Sequence, residues 1–414
     1  MKESLRQHIA EPDQLERLYR SDKYAFRQAF HDLYPELQAS PLAAFWRERL
    51  AYESEGIHWG GRKEWGIVLG LAVLAGFAAK LPLFLGINEE FFYFRNLGFI
   101  LFGSLSAYFC WKNHLETRKV LLIAAAGLAG LLYLNLLPAD PKSDTLILAC
   151  LHLLFVLWWL FGFSHAAGWH RRGERWIAFL KFNGDLLVMG VPLAMAGGLL
   201  SALTIGLFAL IGLPIEAFYS EYVLVFGLAA LPLVSAYLIQ ANPQVVGKIS
   251  QVVASLFSPL VLLLVAVYLG VIFYSGKNPY TDREFLLLFN ALLVGVLALI
   301  FFSIAGLSSL QKNHWEIIVL TLLSLLSILV NIVALSAILF RLAEWGTTPN
   351  RIAVLGGNGL ILLHLAGVAK ALIGILRGRK DLDAVRKAMQ SYLPVYLVWA
   401  VLVSLLFPIL FGFA

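Results

Sequence analysis

The sequence has few of the residues from which secreted domains and soluble enzymes are usually built. Its 414 residues include only two cysteines, Cys110 and Cys150, which lie within or beside apolar stretches. A disulfide framework of the secreted type is therefore excluded. Charged residues make up 14% of the chain, against about 25% in an ordinary globular protein. A soluble fold around a single core is not expected.

Enzyme motifs are also lacking. The sequence contains no P-loop, no dinucleotide-binding glycine fingerprint, no His-Glu-x-x-His and no cysteine pair at metal-binding spacing. We therefore predict no cofactor and no metal, and the sequence gives no positive sign of catalysis. An intramembrane enzyme would need an acid or a base, for which only His152, His364 and Asp185 are available, so this hypothesis ranks last.

Long apolar runs are what the sequence has instead. Hydrophobic residues make up 60% of the chain, and eleven runs are long enough to cross a bilayer. Hydrocarbon leaves backbone groups without water, so these runs must be helices. We predict an all-α, polytopic transmembrane helical bundle. The predicted spans lie near 66–86, 91–111, 119–137, 145–167, 185–212, 221–240, 252–275, 284–308, 315–341, 350–376 and 391–413.

The first 62 residues differ from the rest. Apolar residues recur there at three- and four-residue spacing in Asp13–Arg20, Asp22–Leu37 and Pro41–Glu53, a pattern typical of amphipathic helices. We predict a helical cytoplasmic or interfacial segment at 1–62 and a transmembrane helical domain at 63–414. The first apolar run begins too late for a cleavable signal peptide, so it is expected to be a membrane anchor.

The distribution of lysine and arginine predicts the topology. With eleven spans, the N-terminal segment and the loops on its side carry 24 of these residues, and the opposite loops and span ends carry 6. By the positive-inside rule the N-terminus is cytoplasmic and the C-terminus external. The basic loops 168–184 and 377–390 are predicted to contact anionic lipid headgroups, the first as an interfacial amphipathic helix. Short tethered loops do not favour nucleic acid as a partner.

Polar residues within the apolar spans are the candidates for a functional site, because burying them in lipid is costly. The tenth span and its neighbour provide a substrate-binding hypothesis. Its residues are Asn331, Asn350, Arg351, Asn358 and His364. An arginine and an asparagine at a helix N-terminus suit an anion, such as a lipid phosphate or a small carboxylate.

A structural alternative explains the same region. Arg351 is then an anchor at the outer interface, and the glycines at 356, 357 and 359 allow close helix packing. Thr348 followed by Pro349 predicts the start of the tenth helix under either interpretation. Elsewhere, Lys80 is expected to extend its amine towards the outer interface, and Asp185 is expected at the start of the fifth span as a possible N-cap.

The stretch from Glu344 to Gly356, with Thr-Pro-Asn-Arg at 348–351 followed by small and apolar residues and then glycine, resembles a signature of the DUF4153 family of bacterial multi-pass membrane proteins. The resemblance is sharp over this stretch and looser over the surrounding spans, and it does not cover the N-terminal segment. It implies a location in the bacterial inner membrane. The function of that family is unknown, so the resemblance implies no substrate and no catalytic residues.

Two functions are compatible with these features. The first is a transporter or lipid-handling protein with a polar site at the outer end of spans nine and ten, motivated also by the prolines and glycines that interrupt several spans. The alternative is a non-catalytic scaffold or signalling subunit that binds a protein partner through residues 1–62. Membrane lipids are predicted partners in both cases.

Overall fold

The structure is a computed structural model that describes residues 2–21, 23–37, 40–52, 61–138, 143–167, 172–210, 215–274, 280, 283–306 and 314–413. These residues form helices and no β-strand, which confirms the all-α class. The chain divides into two compact units, Met1–Trp59 and Gly60–Ala414, where the sequence predicted a boundary after residue 62.

The first unit contains four helices around a small core of its own. They are α1 (Lys2–Gln7), α2 (Pro12–Ser21), α3 (Lys23–Leu37) and α4 (Pro41–Tyr52). Leu5, Leu15, Phe26, Phe30 and Trp46 are buried together, and the ring centroids of Phe26 and Trp46 lie 5.0 Å apart. The apolar residues at helical spacing thus pack against one another within this segment.

An ion pair joins α2 to α4 in this unit. The Glu16 carboxylate lies 2.9 Å from an Arg49 nitrogen and accepts a hydrogen bond of 2.8 Å from Arg20 Nε. The Arg49 guanidinium also lies over the Trp46 ring, 4.6 Å from its centroid. The hydrogen bond from Arg20 and the charge of Arg49 hold the pKa of Glu16 below its ordinary value of 4.5.

We expect this unit to lose stability in acid. A carboxylate whose pKa is lowered in the folded state contributes stability above its unfolded pKa, and that contribution is lost as the pH falls through the folded value. Protection factors for α2 and α4, measured by hydrogen exchange on the full-length chain, should fall between pH 6 and pH 3. Glu16→Gln should reduce this dependence, whereas Glu48→Gln on the exposed side of α4 should leave it unchanged. Equal behaviour of the two variants would contradict the role of Glu16.

The second unit is a helical bundle. In chain order its elements are α5 (Arg62–Ala79), α6 (Leu81–Leu85), α7 (Glu89–Lys112), α8 (Thr117–Leu136), α9 (Asp144–His165), α10 (Arg172–Leu210), α11 (Glu216–Phe218), a π-helical turn (Tyr219–Leu224), α12 (Val225–Ala241), α13 (Pro243–Tyr274), α14 (Arg283–Gly306), α15 (His314–Trp345), α16 (Pro349–Leu376), α17 (Leu382–Val401), a second π-helical turn (Leu402–Leu406) and α18 (Phe407–Leu410). Helices α15 and α16 pack along each other, α7 packs against α5 and α9, and α8 packs against α7 and α9.

Eight helices of the described chain are long and apolar enough to cross a membrane, which corrects the predicted count of eleven. They lie in Thr117–Leu136, Asp144–His165, Arg175–Ala202, Glu216–Ala241, Phe289–Gly306, His314–Trp345, Pro349–Leu376 and Leu382–Leu410. The other three predicted spans fall on α5, α7 and α13. Helix α5 begins with three charged residues, and α7 has charged residues near both ends. The apolar stretch described in α13 is shorter, Phe257–Val267.

The outer surface of this unit is strongly apolar, as expected of an integral membrane protein. Large side chains such as Leu136, Leu187 and Met195 are 82%, 70% and 71% exposed. Many exposed side chains of this kind are unfavourable in water and favourable against lipid tails. The chain is therefore an integral membrane protein.

Helix α10 differs from the sequence prediction. The segment 168–184 was predicted to be a separate interfacial helix, yet from Arg172 onwards it is continuous with the fifth span. Trp176 and Phe179 are buried in the core of the bundle. Asp185 is consequently buried inside a helix and is not an N-cap.

Lys80 is buried and forms an ion pair, which the sequence did not predict. Its side chain is 4% exposed and its amine lies 3.3 Å from the Glu221 carboxylate, at the π-helical turn. The amine also lies 4.7 Å from the centroid of the Tyr222 ring. The Glu221 carboxylate neutralises the buried charge of Lys80, although the two residues are 141 positions apart in the sequence.

Candidate functional site

The turn between α15 and α16 is built from the signature residues. Helix α15 is followed by Gly346 with a φ of +75°, a left-handed conformation that suits glycine. Thr348 is the N-cap of α16 and its hydroxyl accepts from Arg351 N at 3.3 Å, with Pro349 at the first helical position, as predicted. The Arg351 guanidinium donates to the carbonyls of Trp345 at 2.8 Å and Gly346 at 2.6 Å. Arg351 therefore caps the end of α15.

Two of the predicted site residues meet inside the bundle. Asn331 Nδ2 donates to the backbone carbonyl of Asn358 at 3.0 Å, and Asn358 Nδ2 donates to Asn290 Oδ1 at 2.8 Å. Asn331 and Asn358 are almost completely buried. This asparagine cluster (Asn290, Asn331, Asn358) joins α14, α15 and α16, and Asn331 Oδ1 has no hydrogen-bond partner among the described residues.

We expect the asparagine cluster to hold these helices together with measurable coupling. A hydrogen bond between side chains inside a membrane contributes about 0.6 kcal/mol on average and up to about 1.7 kcal/mol. In a double-mutant cycle of Asn290→Leu and Asn358→Leu, measured by denaturant unfolding in micelles, we expect a coupling of about 1 kcal/mol. The pair Asn290→Leu and Asn350→Leu should be additive, and zero coupling in the first cycle would refute the contact.

The remaining predicted site residues do not join this cluster. His364 is fully buried, its Nδ1 lies 3.1 Å from the Tyr396 hydroxyl, and its ring stacks on Tyr392 with centroids 4.7 Å apart. Its Nε2 has no hydrogen bond in the described chain, although the backbone of Ala388 and Met389 lies beside the ring. Asn350 is half-buried at the start of α16. The five predicted residues thus form three separate environments.

One glycine of α16 has a clear packing role. A Cβ atom on Gly356 would lie 2.1 Å from the Trp399 ring, whereas one on Gly359 would meet nothing within 4 Å. The indole of Trp399 therefore lies directly against the α16 backbone. The sequence offered close helix packing as the structural explanation of these glycines. That explanation holds for Gly356 and does not hold for Gly359.

Helix α8 is held at its C-terminal end by side chains of α7. Arg95 is 3% exposed and donates to the carbonyls of Leu134, Leu137 and Pro138 at 2.6, 3.1 and 3.1 Å. The Asn96 and Asn135 amides exchange two hydrogen bonds of 3.1 and 2.8 Å. The Arg95 guanidinium satisfies carbonyls that the last turn of a helix leaves free, and the asparagine pair adds a side-chain link between the two helices.

Towards the N-terminal end of α8, helices α7, α8 and α9 line an open groove. This groove, of about 720 Å³, lies between residues 99–115 of α7 and its following turn, residues 120–131 of α8, and Leu157 and Leu160 of α9. Its lining is mostly apolar, with Ser106, Cys110 and His114 as polar exceptions. Only 6% of the most apolar stretch of α8 is buried, against 56% in α15, so α8 is a peripheral helix.

The sequence analysis did not identify this groove. Small residues line both of its long walls, among them Gly103 and Ala107 on α7 and Ala124 and Gly127 on α8. Cβ atoms on Gly103 or Gly127 would meet nothing within 4 Å. Such residues usually indicate close helix contact in membranes, whereas here they widen the space.

No protein-family model, curated protein or solved structure matches this chain. In the described part of the chain, no group of three or more histidine, cysteine, aspartate or glutamate residues could hold a metal ion. The function is therefore argued from the groove and the contacts around it.

Proposed function

We propose that this chain is a lipid-handling membrane protein that binds a lipid chain in the groove between α7, α8 and α9. The groove itself is the observation that carries the proposal. Its volume of about 720 Å³ lies within the roughly 300–1,000 Å³ of typical ligand pockets. An apolar cavity at the periphery of a bundle with a lipid-facing surface suits a hydrocarbon chain better than a polar solute.

The length of the groove supports the same occupant. From Phe99 to Trp111 the wall formed by α7 is roughly 18 Å long at 1.5 Å per helical residue. One leaflet of a bilayer with a hydrocarbon core of about 30 Å is about 15 Å deep. An extended acyl chain of one leaflet therefore fits between the helices along most of its length.

Filling the groove should remove the bound lipid. Gly103→Leu places a side chain in open space on the groove wall, so the variant is expected to fold and to exclude the chain. We expect native mass spectrometry of the purified protein to show retained phospholipid in the wild type and at least fivefold less in this variant. Gly70→Leu is the matched control, because Gly70 is exposed on α5 and a Cβ there also meets open space.

The outcomes separate lipid from other occupants. Equal phospholipid retention by the wild type and the Gly103→Leu variant would refute the proposal. Retention of a second copy of the chain in the wild type, lost in this variant, would assign the groove to helix association instead. A loss of retention in the Gly70→Leu control would show that leucine on any exposed helix face disturbs lipid binding.

Location and family membership belong to the same proposal. The signature at 344–356 supports membership of the DUF4153 family and a place in the bacterial inner membrane. The ten Lys and Arg residues within 1–63 support a cytoplasmic N-terminus. The external C-terminus was inferred from eleven spans and stays a prediction of the sequence. An anion site at Asn350 and Arg351, and a partner-binding role for residues 1–62, stay predictions of the sequence.

A further inference from the structure

We infer that the lipid in the groove carries a net negative headgroup and that His114 and Lys119, at the α7–α8 turn, bind it. This inference rests on the proposed lipid-binding function and adds the class of lipid. Two features of the turn carry it: the backbone conformation of His114 and the arrangement of charge beside the groove.

His114 occupies a position that glycine would fill without strain. Its φ is +49°, and the helix ends with bonds from His114 N to the Trp111 carbonyl at 3.1 Å and from Leu115 N to the Cys110 carbonyl at 3.0 Å. This is the pattern of a helix end that favours glycine, and a left-handed conformation costs free energy for a side chain with a Cβ. The imidazole is exposed and lines the groove, where its N–H can donate to a phosphate.

Lys119 lies one helical turn before Ile123, a residue of the groove wall on α8. Residues four positions apart share a helix face, so the lysine stands just beyond this end of the groove. Its amine lies 3.0 Å from the Glu116 carboxylate, which is 73% exposed. Such an exposed pair contributes little to stability, so a phosphate can take the place of the carboxylate.

The charge of the turn favours an anion. Lys112 is paired with Glu64 of α5, and Glu116 offsets Lys119. Arg118 is exposed and has no described ion pair, so one positive charge stays uncompensated at the α7–α8 turn, beside this end of the groove. A lipid with a net negative headgroup balances that charge while its chain enters the groove.

The test is lipid competition on the full-length protein. Wild type and variants are reconstituted in nanodiscs with equal amounts of phosphatidylglycerol and phosphatidylcholine, and the retained lipids are counted by native mass spectrometry. We expect the wild type to retain phosphatidylglycerol preferentially. Lys119→Gln should reduce that preference about fivefold, the contribution of one basic residue near an anionic headgroup. Glu116→Gln should increase it, because it removes the competing carboxylate.

His114→Gly separates binding from structure. This variant should lose part of the preference while its melting temperature stays the same or rises, since glycine relieves the left-handed strain. Arg17→Gln, a change at an exposed basic residue of α2, should leave the preference unchanged. A preference that Arg17→Gln lowers as much as Lys119→Gln would indicate general surface attraction and overturn the inference.

Failure of this inference is distinguishable from failure of the proposed function. If the wild type retains both lipids equally and Gly103→Leu retains neither, the groove binds lipid without selecting its charge. If Gly103→Leu retains both lipids as the wild type does, the groove is not the lipid site and both proposals fail.

Discussion

Replacing Arg95 by leucine should release the C-terminal end of α8 and destabilise the protein by about 3 kcal/mol or more. The variant removes three hydrogen bonds from a buried cation, each contributing about 1.5–3 kcal/mol, and leaves three carbonyls without a donor. Cys150 offers a direct measurement, because it is buried with Leu134 and Leu137 at this end of α8. In a Cys110→Ala background, its alkylation by a maleimide should be at least tenfold faster in the Arg95→Leu variant.

Arg351→Leu is the appropriate comparison for Arg95→Leu. Arg351 also binds backbone carbonyls at a helix end, but these bonds are exposed, so water can replace the guanidinium. We expect this variant to lose about 1 kcal/mol and to leave the labelling of Cys150 unchanged. Equal destabilisation by the two variants would show that burial of Arg95 does not decide the effect.

Alanine substitutions at two glycines of α16 should have opposite effects. Alanine is more favourable than glycine inside a helix by about 1 kcal/mol, so Gly359→Ala should raise the unfolding free energy slightly. Gly356→Ala places a methyl group 2.1 Å from the Trp399 ring, which forces the indole away from α16. Overpacking of this kind costs about 1–3 kcal/mol, so this variant should be less stable than the wild type in micelle unfolding measurements.

A second variant shows whether Trp399 is the cause. In the background of Trp399→Leu, which leaves space beside α16, Gly356→Ala should lose most of its destabilising effect. If Gly356→Ala is equally harmful with and without the indole, the clash with Trp399 is not the explanation. Indole fluorescence alone would not answer this, since the chain contains eleven tryptophans.

Features encoded by neighbouring residues were predictable from the sequence. The apolar runs identified the all-α membrane class because each helix must be apolar along its own length. Thr348 and Pro349 located the start of α16 because capping depends on residues one to three positions apart. The count of eleven was too high because it did not weigh the charged residues of α5 and α7, and the described apolar stretch of α13 is short.

Features that depend on distant residues were not predictable. Nothing near Lys80 indicates that its partner is Glu221, and nothing near Arg95 indicates that it binds the end of α8. The basic and aromatic residues of 168–184 match the composition of an interfacial helix, yet Trp176 and Phe179 pack into the bundle. The candidate site was not predictable for the same reason. Asn331 and Asn358 form a hydrogen bond between α15 and α16, whereas the Arg351 side chain binds carbonyls at the end of α15.

The attachment of α8 at one end has a mechanical consequence. The bonds from Arg95 and Asn96 fix the C-terminal end of α8, and little of the rest of the helix is buried against its neighbours. The width of the groove then follows the tilt of one helix, and helix tilt responds to the thickness of the hydrocarbon layer. A thinner bilayer would incline α8 further and change the space available to the chain, so occupancy of the groove would report membrane thickness.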